Sequence, residues 1–438
     1  MKVGIISLGC SKNQVDSEMI LGLLVKSGFE LTTNQEEADL IIINTCGFID
    51  NAKDEALEEI ARVINEKSET QKLVVCGCLA QRYKDFLEYN FKDIDLVISL
   101  KEYPKFGELI AHLFECDNKN ELSFHDRILI SSNHAPYIRI ADGCNNHCAF
   151  CAIPLIRGKY VSRDMDDIIL EAKELIKNGA KELNLIAQDT SKYGVDNYTK
   201  LMLPELLKKL AALDGVFLIR TFYIYPETIT DELIDVIKSH DNIASYFDIP
   251  FQHGSNKILK LMNRKTTKEK ALELIHKIKD NIPSAVIRTS LMVGFPSENK
   301  EDFNELIDFV KEAEFFHMGA FIYSREEDTP SYNMKPRVPK FISRKRYNIL
   351  MDTQKEIATK LKKALVGNTY KALVDSFDEE SLTFSLRNYM FAPDDVDSSI
   401  IATCPFENDI MPGDIVDVKI IASSAYELYG EIVKVYEE

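Results

Sequence analysis

The sequence predicts an α/β protein in three parts: an N-terminal parallel-sheet α/β domain, a central barrel or partial (β/α)6 barrel and a small C-terminal antiparallel β-barrel or sandwich. Three observations predict it. The first hundred residues alternate short apolar runs with single helical stretches, a longer series of the same kind follows, and the chain changes to short β-type runs with turn signals after residue 367. At 438 residues and 45% apolar, the chain can bury several cores.

In the first part, residues 3–7, 40–43, 73–75 and 95–99 read as strands, and 17–25 and 53–63 as helices, the first closed by Gly28. Strands separated by single helices need crossover connections, so the sheet is parallel and covered on both faces. The domain is expected over residues 1–118, ending in the polar stretch 116–121. The central part, residues 130–366, holds six candidate strands: 137–140, 182–187, 216–221, 245–249, 285–292 and 319–323. Helices fall between most of them, at 166–177, 204–213 and 268–279, and a long amphipathic helix over 344–365 leads out. Serial βα units put a site at the carboxyl ends of their strands. Residues 367–438 form the last part, with strands at 370–374, 382–386, 415–421 and 432–436 and the turn Met411-Pro412-Gly413-Asp414.

Composition narrows the class. No apolar run approaches the roughly 18 residues of a membrane span. Leu8-Gly9-Cys10 has the look of a lipoprotein cleavage box, but a single Lys2 and a few apolar residues precede it. A signal peptide needs an apolar stretch of about 7–15 residues there, so a first β-strand is the better reading and the protein is expected in the cytoplasm. The net charge of −17 disfavours a broad electrostatic hold on nucleic acid. Nine cysteines in a reducing compartment point to metal binding and catalysis rather than disulfides.

Cys144, Cys148 and Cys151 follow the first barrel strand with the spacing C-x3-C-x2-C. Three close thiolates suit three corners of a 4Fe–4S cube. The fourth iron is then open to chelation by the amino and carboxylate groups of S-adenosylmethionine, whose reductive cleavage releases a 5′-deoxyadenosyl radical. The rival is a zinc knuckle or free thiols; zinc prefers four ligands, and no fourth pairs with this triplet. His147 reads as a loop residue.

Cys10, Cys46 and Cys78 are far apart in sequence, yet each comes just after a predicted parallel strand. Strand carboxyl ends converge on one sheet edge, and Gly9, Gly47 and Gly77 allow the backbone to crowd a cluster. Buried cysteine is also a common core residue, so a second cluster and plain core thiols both stand on spacing alone. Cys76 competes with Cys78 but ends an apolar run; Cys116 and Cys404 read as ordinary thiols.

Leu8-Gly-Cys-Ser-Lys-Asn13, continuing to Val15-Asp-Ser-Glu18, resembles the opening of the methylthiotransferases of the radical S-adenosylmethionine superfamily. The resemblance runs over nearly the whole chain and implies a methylthiotransferase domain, a radical core and a TRAM domain. It implies two 4Fe–4S clusters, the second held by Cys10, Cys46 and Cys78. One S-adenosylmethionine would methylate sulfur associated with the N-terminal cluster, and a second would supply the radical that takes hydrogen from an unactivated carbon. An electron donor such as flavodoxin or ferredoxin and a sulfur donor are implied partners. Ile153-Pro-Leu-Ile-Arg-Gly-Lys-Tyr160 and Leu185-Ile-Ala-Gln-Asp-Thr190 with Tyr193-Gly194 resemble the RimO type, which modifies an aspartate of small-subunit ribosomal protein S twelve. The other main branch modifies a tRNA adenine. A rival from another class is a non-catalytic iron–sulfur sensor or RNA-binding protein.

Charge bears on the branch. From Gly367 onward there are four Lys and Arg against fifteen Asp and Glu, a net of −11. An RNA-holding domain should be basic; an acidic one repels RNA and attracts a basic ribosomal protein, so tRNA is not the expected substrate. Acidity that merely aids solubility is the alternative.

Polar residues at barrel strand ends are further candidates: Gln188 and Asp189, Arg220, Asp248, Gln252 with His253, Arg288, Gly294-Phe295-Pro296, and Tyr323 with Ser324. The resemblance implies that Gln188, Arg220, Gln252, Arg288, Gly294 and Tyr323 surround S-adenosylmethionine. Hydrogen bonds that merely cap the barrel are the alternative for each.

Overall fold

The computed structural model describes residues 1–115, 120–394, 396–405 and 409–436; Cys116 lies outside them. The chain packs into two compact units that cut across the three expected segments. The first comprises Met1–Ile130, Asp142–Val161 and Ser324–Tyr332; the second comprises Ser131–Ala141, Ser162–Tyr323 and Asn333–Glu438.

In the first unit a five-stranded parallel sheet runs in the order Glu30–Leu31, Lys2–Ser7, Leu40–Thr45, Lys72–Gly77, Leu96–Ser99. Every residue of Leu40–Thr45 is buried, as a central strand covered on both faces must be. Side chains alternate between those faces. Leu40, Ile42, Val74 and Cys76 join Ile20, Leu24 and Phe106 in one core, while Ile41, Ile43, Leu73 and Val75 join Ala56, Ile60 and Leu79 in the other. The first helix spans Ser11–Lys26, six residues earlier than its apolar pattern predicts. Its opening turns carry buried Lys12, Asn13 and Asp16, polar residues to which a hydrophobic period is blind. The segment Ser324–Tyr332 is held in this unit by Glu326, which accepts from the Asp50 N–H (3.1 Å), Arg82 Nη1 (3.0 Å) and Lys53 Nζ (3.3 Å).

In the second unit, the six expected strands appear as Tyr137–Arg139, Glu182–Ile186, Leu218–Thr221, Tyr246–Asp248, Val286–Val293 and His317–Ile322. They form two three-stranded parallel sheets linked by a bridge between Ile219 and Ile243, which leaves an open partial barrel. Several intervening helices start on side-chain caps: Asp164 accepts from the backbone of Asp166 and Asp167, and Asn299 with Asp302 makes a reciprocal box. Helix Lys340–Lys363 leads to a closed five-stranded barrel. This barrel departs from the purely antiparallel expectation. An unanticipated strand, Ile400–Thr403, pairs in parallel with Leu428–Val435 and closes the ring, because no short hairpin joins these two strands.

Buried ion pairs fasten this small barrel to the half-barrel. Glu182 takes Arg220 Nε at 2.9 Å and Arg387 Nη1 at 2.5 Å, and Arg387 also holds Asp375. A second group joins Asp248, Arg288 and Asp397, with Tyr246 donating to Asp397 at 2.6 Å. His317 belongs to it: Nε2 lies 2.7 Å from Met390 O, which requires an N–H there, and Nδ1 lies 3.6 Å from Asp397. Burial pushes the His317 imidazole down to about 4, opposed by Asp397 and reinforced by Lys362 and Arg288. The unfolded chain, with an ordinary value near 6.5, therefore binds this proton first as pH falls. Stability should drop by up to about 3 kcal/mol between pH 6.5 and 4 on this account. His317→Phe, placed among Phe316 and Phe391, should melt with a shallower acid dependence despite losing the Met390 bond; an unchanged slope would exclude this source.

Candidate cluster sites

The order of the first sheet places strands Lys2–Ser7 and Leu40–Thr45 side by side with Glu30–Leu31 outside them. The chain thus turns outward from the first strand in one direction and continues in the other. A ligand crevice in such sheets lies at that switch, beyond the strand carboxyl ends. Cys10 and Cys46 follow these two strands, and Cys78 follows the next, Lys72–Gly77, as the first residue of helix Cys78–Asn90. Cys10 is the N-cap of Ser11–Lys26. Two of the three cysteines therefore sit at helix N-termini, and at Cys10 the unpaired N–H groups of Lys12 and Asn13 favour thiolate.

The three thiols feel one another: the charge of Cys10 pushes Cys46 up, and those of Cys10 and Cys46 push up Cys78. For Cys46 and Cys78 burial is the larger cause, and it lifts Cys78 to about 12. For Cys10 burial acts in the same direction but loses to Lys12, the Asn13 and Lys12 N–H groups and Arg157, which hold it below the ordinary thiol value. Cys10 keeps solvent-accessible surface even so; it is crowded by protein atoms yet open on one side. Cys76, by contrast, is wholly buried among Leu40, Ile42 and Val74, where it fills core space.

The surrounding backbone fits a cluster. Gly9 has φ +96°, and a Cβ there would fall 2.8 Å from Cys46 Cβ; Gly77 has φ +94°, and its Cβ would fall 2.6 Å from Thr45 O. A side chain at either point would clash with Cys46 or with the neighbouring strand, so both glycines let the cysteine loops pack closely. Asn13 ties the loops together, its Nδ2 donating to Leu8 O (3.1 Å) and Thr45 O (2.8 Å). Among the described residues no group of three His, Cys, Asp or Glu is placed to hold one metal ion. A cube gives each thiolate its own iron.

Cys144, Cys148 and Cys151 lie on an irregular loop and are all partly exposed. Backbone bonds shape it: Cys144 N donates to Gly158 O (3.2 Å), Cys151 N to Cys148 O (3.1 Å), and Ser331 N to Ala149 O (2.8 Å). His147 takes φ 50°, the conformation of a loop corner. Both triplets belong to the first compact unit.

In the half-barrel the six cofactor candidates separate. Gln188 follows the second strand, partly exposed. Gln252, at φ 72°, is stitched to the fifth strand by its N–H to Ser290 O (2.9 Å) and its carbonyl from Met292 N (2.7 Å). Gly294 and Tyr323 close the fifth and sixth strands; Tyr323 N donates to Val293 O at 2.9 Å, and its ring packs on Phe295. A Cβ on Gly294 would strike Ser343, so packing of the long helix demands this glycine. Arg220 and Arg288 differ from expectation. Arg220 is wholly buried, with Nε on Glu182, Nη1 on Tyr389 O (2.9 Å) and Nη2 on Asn388 O (2.8 Å). Arg288 pairs with Asp248 and Asp397. Both guanidiniums are occupied by fastening the small barrel.

Residues 2–99 match the uncharacterized protein family UPF0004, residues 138–310 the radical SAM superfamily, and residues 366–433 the TRAM domain. Ribosomal protein uS12 methylthiotransferase RimO of Caldicellulosiruptor saccharolyticus is 42% identical over 99% of this chain and 100% of its own length. The RimO of Natranaerobius thermophilus is 44% identical over 99% of each chain. The chain belongs to the RimO family. As a radical S-adenosylmethionine enzyme of the RimO family, it uses a 4Fe–4S cluster and S-adenosylmethionine. The fold is shared more widely: the radical S-adenosylmethionine methyltransferase TsrM of Kitasatospora setae superposes with a TM-score of 0.55 at 14% identity, covering 76% of this chain and 77% of that one.

Two side chains of this protein were given no role in the sequence reading. Glu298 buries its carboxylate under the Gly294 turn, accepting from Gly294 N (2.7 Å), Phe295 N (3.3 Å) and Arg346 (2.6 Å). Arg157, six residues after Cys151, reaches Asn13, Asp16 and Cys78. The spacing Gly294-x3-Glu298 was available as a signal; nothing in the sequence pairs residue 157 with residues 13–16.

Proposed function

We propose that this chain adds a methylthio group to the β-carbon of an aspartate in ribosomal protein uS12, with one 4Fe–4S cluster on Cys144, Cys148 and Cys151 and a second on Cys10, Cys46 and Cys78. The observation that carries the two-cluster reading is the meeting of three sequence-distant thiols at the carboxyl edge of the first sheet, where Gly9 and Gly77 let the loops pack closely. When bound, the central cluster and S-adenosylmethionine supply a 5′-deoxyadenosyl radical, and a further S-adenosylmethionine supplies the methyl group.

The chain's own residues have definable tasks. Lys12 and the Asn13 N–H favour the thiolate of Cys10. The backbone bonds of the 144–158 loop hold the central sulfurs partly exposed, open to a cofactor. Gln188, Gln252, Gly294 and Tyr323, at strand ends, remain the barrel residues for S-adenosylmethionine. Holding reactants in one geometry replaces an improbable encounter.

The acidic C-terminal barrel supports a basic protein substrate over RNA. Asp378, Glu379 and Glu380 are exposed on one turn, and Arg387, one of only four cations there, is buried against Glu182. An electron donor such as flavodoxin or ferredoxin and a sulfur donor complete the reading. Among the described residues no helix is long and apolar enough to cross a membrane, and a cytoplasmic setting fits a ribosomal substrate. Mass spectrometry of uS12 and of tRNA from cells with and without the gene tests the proposal. The expected result is loss of a methylthio group from uS12 alone; its loss from tRNA alone would overturn the branch.

A further inference from the structure

Arg157 terminates the short helix Ile153–Ile156 that follows the central cysteine loop. Its side chain is only 3% exposed. From there Nη1 reaches Asp142 Oδ2 (3.1 Å), two residues before Cys144. Nη2 reaches Asp16 Oδ2 (2.7 Å), Asn13 Oδ1 (2.8 Å) and Cys78 Sγ (3.7 Å). In the thiol form Cys78 Sγ also donates to the same Asn13 oxygen at 3.3 Å. One guanidinium thus joins the stem of one cysteine loop to a sulfur of the other triplet.

Nη2 has two hydrogens and meets Asp16 and Asn13 first, so at 3.7 Å it faces Cys78 Sγ chiefly as a fixed positive charge. Reduction adds negative charge to a cluster, and that charge is shared by its thiolates. A hydrogen bond to a ligand sulfur and a fixed positive charge beside it favour the reduced form and raise the potential. Arg suits the task because it stays charged when buried and its fork serves several acceptors at fixed angles. Asp16, against the same nitrogen, opposes it.

We propose that Arg157 is a positioning residue that raises the reduction potential of the N-terminal cluster through Cys78 and locks that cluster to the loop holding the other. This rests on the reading that Cys10, Cys46 and Cys78 hold a cluster. The test is an EPR-monitored redox titration of the reconstituted full-length protein, in which added S-adenosylmethionine perturbs and so marks the central cluster. Arg157→Met should make one-electron reduction of the other cluster about tenfold less favourable, a fall of about 59 mV. Arg157→Lys, which keeps the charge without the fork, should recover part of it, and Asp16→Asn should shift the potential upward. An unmoved N-terminal midpoint in variants that keep about eight irons, or equal shifts of both midpoints, would overturn the proposal. Should Arg157→Met lose iron, Asp16→Asn decides, and no rise there overturns it. A wild-type protein holding about four irons, unaffected by Cys10→Ala, would instead remove the underlying two-cluster reading.

Discussion

Replacing Cys148 with alanine is expected to abolish reductive cleavage of S-adenosylmethionine and to lower bound iron from about eight to about four per chain. The backbone of residue 148 contributes its carbonyl to the Cys151 N–H, a bond that alanine preserves, so the substitution removes a sulfur and little else. Cys10→Ala provides the contrast. It should also hold about four irons, yet retain cleavage at the central site and lose only transfer of the methylthio group. Release of 5′-deoxyadenosine under a strong reductant, read beside iron content, separates the two variants. Undiminished cleavage by Cys148→Ala would defeat the radical assignment of the central triplet.

The second large effect lies far from chemistry. Glu182 is 1% exposed and faces two guanidiniums, those of Arg220 and Arg387. Glu182→Gln keeps the shape but leaves buried Arg220 with only the Tyr389 and Asn388 carbonyls, while Arg387 keeps Asp375, and breaking one partner of a buried pair costs about 3–5 kcal/mol. Chemical denaturation should show this loss, whereas Glu182→Leu combined with Arg220→Met should recover much of it because the uncompensated charge goes too. A loss below about 1 kcal/mol would mean that water reaches the cluster. The same experiment addresses the expectation that Arg220 binds cofactor: a fastening residue changes stability on Arg220→Met, while a cofactor ligand raises the KM for S-adenosylmethionine in a protein of unchanged stability.

Local pattern and motif determined a great deal about this protein. Apolar runs such as 40–43 specify buried parallel strands because a strand covered on both faces has no polar side, and the six βα units announce a half-barrel by repetition alone. The C-x3-C-x2-C loop is legible because its cysteines are neighbours in the chain. Tertiary structure decided what depends on distant residues. It brought Cys10, Cys46 and Cys78 to one edge, set Cys76 in the core, and extended the first helix over buried polar residues that no hydrophobic period marks. It also turned Arg220 and Arg288 toward the C-terminal barrel and Arg157 toward Cys78. An arginine in a sequence carries a charge but no direction. Its role is set by which carboxylate, carbonyl or sulfur the fold delivers within about 3–4 Å, and those partners lie some 40 to 170 residues away for Arg220.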